Sequence, residues 1–419
     1  MNLKELCTLI DHRQAELYEL LCDLIRINSE NWGTGGNEKE CAEYIAKLCN
    51  DMGLETDFYS PLDLEDFEKH PDYLEGRHLE NRPNVAARMK GRSDEDRLML
   101  MGHSDTVVIG DRTSWTCDPL VGEIRDGKIW GRGATDDKYA LAVSIFLLRI
   151  LKEHGFEPKA NLLFTAYCDE ERGGSHGALA AVLKYPSTYV VNMDGLDFEI
   201  NHCATGGQEV SYRYHTAETV DDASLTATAI PIIMEVMKSF ADRRCTELKN
   251  NHFYKGTNVP DTSMRYMGIK AGNNGADLGC GELSFIFYTD KIKEEIYEEY
   301  RELEKVLNER LAPLGIIGDG FFPSTRFFHY VHTEPDCPSI LQMQAAAYNV
   351  SGRELIPCGS CLGDMSVILK YGSKESFTFG ISRHFSEYGG AHQPDEFIEC
   401  DKLLEYTKIM GAYILNILG

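Results

Sequence analysis

Five stretches of the chain carry residues that could hold a metal or move a proton. Leu98–Met101 is an apolar run that leads into Gly102-His103-Ser104-Asp105. Gly131-Arg-Gly-Ala-Thr-Asp136-Asp137-Lys138 stands before a long apolar segment. Asn161–Ala166, again apolar, ends near Asp169-Glu170-Glu171. Val190-Val191-Asn192-Met193 leads into Asp194, and Ala391-His392-Gln-Pro-Asp-Glu396 lies far downstream. Each stretch alone can be ordinary structure. A His-x-Asp pair is commonly found on surfaces, and Asp at a helix start is favoured by the helix dipole. The glycines at 131 and 133 lack both the Walker spacing and GxGxxG, and two adjacent Asp would repel phosphate. Taken together, the stretches put His103, Asp136, Glu171, Asp194 and His392 at loop positions of one sheet, where open α/β sheets bind ligands. Two histidines and three carboxylates form a nitrogen and oxygen set suited to zinc, with cobalt or manganese as alternatives. Five ligands with one bridging carboxylate make two sites. Two ions about 3.5–4 Å apart form an established hydrolytic device.

The elements that must position these residues alternate between strand and helix. Leu17, Leu20, Leu21, Leu24 and Ile27 recur at helical spacing, and a second helix runs from about Glu38 to Met52. Strand-like runs follow at Glu55–Tyr59, Asn84–Met89 and Leu98–Gly102, then a long apolar helix from about Lys138 to His154. Near-continuous apolar strands between helices predict a helix-flanked, mostly parallel sheet. After about Gly206 the pattern changes. Strand signals at Glu209–Ala217, Met264–Ala271, Glu282–Tyr288 and Arg326–His332, with helices at Ala223–Ala241 and Lys291–Leu311, give the order β-α-β-β-α-β of a ferredoxin-like unit. The α/β style returns afterwards. We therefore expect a discontinuous α/β domain over 1–205 and 335–419, interrupted by an α+β lid over 206–334.

Composition narrows the function classes. Lys plus Arg is 42 against 67 Asp plus Glu, a formal charge of −25. So acidic a surface repels phosphate backbones and anionic lipid, so neither nucleic acid nor a membrane is expected as a partner. No run of about 18 apolar residues and no signal-peptide pattern is found, which predicts a cytoplasmic protein. The 13 cysteines follow no framework spacing and read as free thiols; Cys358-Gly-Ser-Cys361 is a lone CxxC.

The stretches GHSDTV (102–107), GRGATDDK (131–138), CDEERGG (168–174), NMDG (192–195) and AHQPDEF (391–397), in this order, resemble the co-catalytic zinc peptidases and deacylases of clan MH. That family includes aminoacylase, glutamate carboxypeptidase, acetylornithine deacetylase, succinyl-diaminopimelate desuccinylase and bacterial dipeptidases. The resemblance covers nearly the whole chain. It implies a zinc-peptidase catalytic domain with an inserted lid through which two copies dimerise. It implies that His103 and Asp194 bind one ion, that Glu171 and His392 bind the other, and that Asp136 bridges them. Asp105 would orient His103, and Glu170 would be the general base. It implies a cis peptide after the bridging Asp136. The substrate would be a small N-acyl amino acid or dipeptide, with His215 as candidate oxyanion donor and His252 in reserve, and with Asn274 near substrate; Arg326 is the candidate to replace the family's substrate-carboxylate arginine, the alternative being a substrate without a free carboxylate there. The chain departs from the family pattern in three places, the first being that the glycine usually found before the lid histidine is missing ahead of His215. Tyr139 stands where the metal-bridging run normally has glycine, and the lid strand Ser284–Tyr288 lacks the usual arginine. The segment Pro61–Pro83 reads as surface structure. The alternative function is a catalytically inactive relative acting as an interaction module; it is disfavoured because all five ligands and Glu170 are present.

Overall fold

The computed structural model describes residues 1–273 and 277–419. The chain divides into two compact units, Met1–His202 with His332–Cys358 and Val367–Gly419, and Cys203–Val331 with Gly359–Ser366.

The first unit is built on a sheet whose centre is parallel. Its strands run side by side in the order Glu375–Phe379, Tyr189–Asn192, Asp96–His103 and Asn161–Tyr167. Asn84–Met89 and Glu55–Tyr59 extend it antiparallel at one side. Ile200–Ala204 pairs antiparallel with Glu375–Phe379 at the other. Alternation along the central strand sorts its side chains onto two cores. Leu98 and Leu100 join the core that holds the helices Lys138–Glu153 and Cys400–Leu418. Met99 and Met101 join the core that holds the helix His176–Lys184. A strand buried on both faces needs no polar alternation, which is why Leu98–Met101 is apolar throughout. Each large aliphatic side chain buried this way contributes roughly 1.5–3 kcal/mol.

Pro61–Pro83 lies largely at the surface but is anchored by a few buried side chains. Phe67, Leu79 and Arg82 in it are almost fully buried, and Phe67 and Leu79 belong to the second core of this unit. The sequence hid this because the segment's prolines and charges dominate its composition.

A small antiparallel sheet of Glu123–Arg125, Lys128–Trp130 and Phe397–Glu399 was not anticipated by the sequence pattern. Its register, Phe397 opposite Trp130, brings the chain before 397 and the chain after 130 to the same end. Residues 391–396 thereby meet residues 131–137, although some 260 positions separate them (392 against 136).

The second unit has the order β-α-β-β-α-β. Its sheet runs Met264–Asn273, Asp277–Thr289, Gly206–Thr216, Ile316–Pro323, all antiparallel. Val210, Tyr212, Tyr214, Phe285 and Phe287 form its core with Ile233, Phe240 and Leu307 of the helices Ser224–Asn250 and Lys293–Leu311. The last strand is Ile316–Pro323, not the predicted 326–332, of which only Val331–His332 is extended in a ladder. Two glycines conceal it. A Cβ on Gly318 would lie 2.1 Å from the Tyr212 hydroxyl, and Gly320 has φ +106. Both requirements select residues that read as strand breakers. Asn274 lies outside the described residues. Among the described residues all cysteines are free thiols, and no helix is long and apolar enough to cross a membrane.

Candidate metal centre

His103 is the last residue of its strand and is fully buried. Its Nε2 lies 2.9 Å from Asp136 Oδ1, while its Nδ1 faces the Asp105 backbone oxygen at 2.9 Å and the Asp105 carboxylate at 3.6 Å. The second oxygen of Asp136 lies 3.2 Å from His392 Nε2, and that same ring nitrogen lies 2.8 Å from Glu171 Oε2. Asp136 thus turns one oxygen to each histidine. Ligating atoms of His103, Asp136 and Glu171 all lie within 4.8 Å of one another, and so do those of His103, Glu170 and Asp194. The structure brings together all seven residues that the sequence singled out in this unit.

Local structure explains how adjacent carboxylates point different ways. Asp169, Glu170 and Glu171 follow the strand Asn161–Tyr167, and Asp169 adopts φ +62, which ends the strand geometry. Asp169 turns inward, to Arg82 Nη2 at 2.9 Å, His176 Nδ1 at 2.6 Å and Asn31 Nδ2 at 3.3 Å. Arg82 is also paired with Glu38. The backbone N–H groups of Glu170 and Glu171 donate to Asp105 Oδ2 at 3.0 and 3.1 Å. Asn31 donates to the same oxygen at 2.8 Å. Asp105 therefore fixes the 170–171 backbone as well as facing His103. His392 also lies at positive φ, +64. Such conformations in residues other than glycine concentrate at functional positions. The Asp136–Asp137 peptide is cis.

Three supporting residues were not singled out from the sequence. Glu396 is buried; Arg132 Nη1 donates to its Oε2 at 2.6 Å, and the backbone N–H groups of Thr135 and Asp136 donate to Oε1 at 2.9 and 3.2 Å. It holds the loop that carries Asp136. Asn31 links Asp105 to Asp169, and Arg82 is shared between Asp169 and Glu38. Their signal was the burial of polar and charged side chains, which a single sequence does not display. Lys138, two residues past Asp136, caps carbonyls instead: its Nζ donates to Leu24 O and Ile27 O at 2.9 and 2.7 Å.

Charge in the cluster is lopsided. Burial alone would raise the Asp105 carboxyl, but His103, Arg82 and Asn31 hold it down at about 2. Burial works against a charge on His392, yet Asp136 and Glu171 push it up to about 10. His103 is likewise raised, by Asp105 and Asp136 against its burial. The carboxylates thus favour positive charge at this spot. With imidazole nitrogens and carboxylate oxygens aimed at common points, the residues fit a pair of divalent cations.

The second unit places its candidates in local pairs. His215 Nδ1 lies 2.8 Å from Asp319 Oδ1. Arg326 is buried, donates to Ser366 Oγ at 2.7 Å and lies over the Phe328 ring. The His252 ring packs on Phe253.

Residues 99–416, well over half of the chain, match the sequence pattern of peptidase family M20/M25/M40. An uncharacterized metallohydrolase of Methanocaldococcus jannaschii is 34% identical over 163 residues, 39% of this chain and 38% of that one. The match therefore spans well under half the length of this curated relative. The fold resembles human carnosine dipeptidase 1, with TM-score 0.73 and 16% identity over 99% of this chain and 98% of that one. It resembles the di-peptidase Dug1p of Saccharomyces cerevisiae equally well, with TM-score 0.75 and 14% identity over the same shares.

Proposed function

The chain belongs to peptidase family M20/M25/M40, and on that premise we propose that it is a dinuclear metal-dependent hydrolase that cleaves an amide bond of a small N-acyl amino acid or dipeptide. The observation that carries this reading is the convergence of His103, Asp136, Glu171, Asp194 and His392 on common points, with Glu170 beside them. His103 and Asp194 would hold one ion, Glu171 and His392 the other, and Asp136 both. When bound, such a pair lowers the pKa of a shared water and polarises the substrate carbonyl. Glu170 takes a proton from the attacking water and delivers it to the leaving nitrogen. Asp105 aims Glu170, because it accepts the Glu170 backbone N–H, and it holds the His103 ring from the Nδ1 side. Glu396 keeps the Asp136 loop in place through two backbone N–H groups.

Zinc suits this donor set, with cobalt and manganese as alternatives. The reading includes a homodimer through the second unit, whose edge strand Met264–Asn273 exposes Tyr266, Met267 and Ile269. It also includes a reducing cytoplasm, in keeping with the free thiols. Light scattering tests the dimer. The inactive interaction module finds no support in the site, because the candidate ligands and the candidate base lie close together.

The function is tested by a hydrolysis screen over N-acyl amino acids and dipeptides, with the protein loaded with zinc, cobalt or manganese. Turnover of at least one class, abolished by chelation and restored by metal, is the expected result. Folded, metal-loaded protein inactive on every member would sink the reading.

A further inference from the structure

The metal-bridging run of the family normally has glycine where this chain has Tyr139, and the structure gives that tyrosine a specific place. Tyr139 is fully buried on the first turn of the helix Lys138–Glu153. Its hydroxyl donates to the Met193 carbonyl at 2.5 Å and approaches the Gly195 carbonyl at 3.5 Å. The backbone N–H of Ile381 donates to the same hydroxyl at 3.0 Å. Met193 and Gly195 are the two neighbours of Asp194. One side chain therefore holds the peptide group just before a candidate ligand and lies beside the carbonyl of the residue after it, and it springs from a position three residues past Asp136.

The surroundings are fitted to this arrangement. A Cβ on Gly380 would stand 2.3 Å from the Tyr139 hydroxyl and 2.3 Å from the Gly195 backbone nitrogen. Any side chain there would occupy the hydroxyl's place. Beyond the hydroxyl, Gly195 O accepts from Ser382 N at 2.8 Å, and Met193 N donates to Met101 O at 2.8 Å. The 193–195 turn is thus bonded to the neighbouring strand ends and, through Tyr139, to the helix that starts at the Asp136 loop.

We propose that Tyr139 is a positioning residue: its hydroxyl fixes the Met193–Gly195 turn so that Asp194 presents its carboxylate at a set distance from Asp136. This rests on the dinuclear reading given above. Groups that orient ligands from behind typically change metal affinity or activity about 10–100-fold when removed. Because the hydroxyl acts on the turn of Asp194 and not on Glu171 or His392, the effect falls on one ion and spares the other.

The test compares Tyr139→Phe with Tyr406→Phe. Tyr406 is also fully buried, its hydroxyl donates to Phe379 O at 2.7 Å, and its ring lies 5.7 Å from that of Tyr139. Tyr406→Phe thus removes a similar buried hydroxyl that does not touch the 193–195 turn. Zinc affinity is measured stepwise by chelator competition, with the visible spectrum of the cobalt-loaded protein as a second readout and circular dichroism as a check on folding. Tyr139→Phe is expected to weaken one of two binding steps about 10–100-fold and to change the cobalt spectrum, with the other step and the Tyr406→Phe protein like wild type. Two wild-type affinities in Tyr139→Phe would overturn the proposal. So would an equal loss in Tyr406→Phe, which would assign the effect to core disturbance. A wild-type protein that binds fewer than two ions would overturn the dinuclear reading, and this proposal with it.

Discussion

Both units bury a charge cluster, and the two clusters are built differently. In the second unit Arg244 is fully buried between Glu247 and Glu299, at 3.0 and 2.8 Å, and Arg243 and Lys291 reach Glu299 at 3.0 and 3.2 Å. The buried Arg244 stands between two carboxylates, and the half-exposed Arg243 and Lys291 reach one of them from the solvent side, so no anion there is left without a cation. In the first unit Asp105, Asp136, Glu170, Glu171 and Asp194 gather around two histidines, and both ion-pair partners of Asp136 are histidines. A balanced cluster needs nothing further and ties elements together. A cluster with surplus negative charge is costly to bury unless a cation joins it. Buried charge as such therefore does not mark function here; its imbalance does.

The largest expected effect tests that contrast directly. Glu170→Gln keeps the shape of the side chain and removes the proton acceptor. Turnover should fall by about 10²–10⁴-fold while two ions per chain remain in metal analysis. Substantial residual activity would take the base role away from Glu170. Loss of both ions would make it a ligand.

A smaller effect should appear in acid. Asp105 is held at about 2 in the folded protein, against roughly 3.9 in an unfolded chain. A depressed carboxyl pKa stabilises the fold fully above the unfolded value and loses that contribution as pH falls through the folded value. For Asp105 the window runs from about pH 4 down to about pH 2, and a shift near two units amounts to roughly 2–3 kcal/mol. Urea unfolding of chelator-treated protein at several pH values in that window should show the loss. Asp105→Asn should flatten its share of the slope. An unchanged slope in that variant would mean that the acid sensitivity arises elsewhere.

The two clusters also differ in how far the sequence disclosed them. His103, Asp136, Glu171, Asp194 and His392 could be picked out because each follows a strand or precedes a helix, and their residue types suit one kind of chemistry. The α/β sheet was legible for a related reason: an apolar run as short as Leu98–Met101, leading straight into a glycine and polar residues, fits a strand buried on both faces. Glu396, Asn31 and Arg82 were not legible. Their importance lies in being buried beside the site, and that depends on the pairing of Phe397–Glu399 with Lys128–Trp130 and on the fold of 61–83. The strand Ile316–Pro323 was missed because close packing on Tyr212 demands glycine where a strand would ordinarily show a side chain. In each case a contact made far along the chain overrode the local signal.

The smallest expected effect concerns His215, and it asks whether the second unit supplies any chemistry of its own. His215 sits on the strand Gly206–Thr216 opposite Cys280 and Ile317, with its Nδ1 on Asp319. The two side chains are 39% and 36% exposed. An ion pair so open to water is typically worth about 0–1 kcal/mol, because solvent screens it and two side chains must be ordered to form it. The pair has the local, self-contained character of the second unit and none of the imbalance of the first. His215→Ala should therefore change kcat/KM by less than about threefold and leave stability within about 1 kcal/mol. An oxyanion donor would behave otherwise: removing one costs about 10²–10³-fold in kcat. Steady-state kinetics on whichever substrate the screen identifies separates the two outcomes cleanly. A loss of that size, with KM little changed, would place a reacting group in the second unit and end the division of labour between the two clusters.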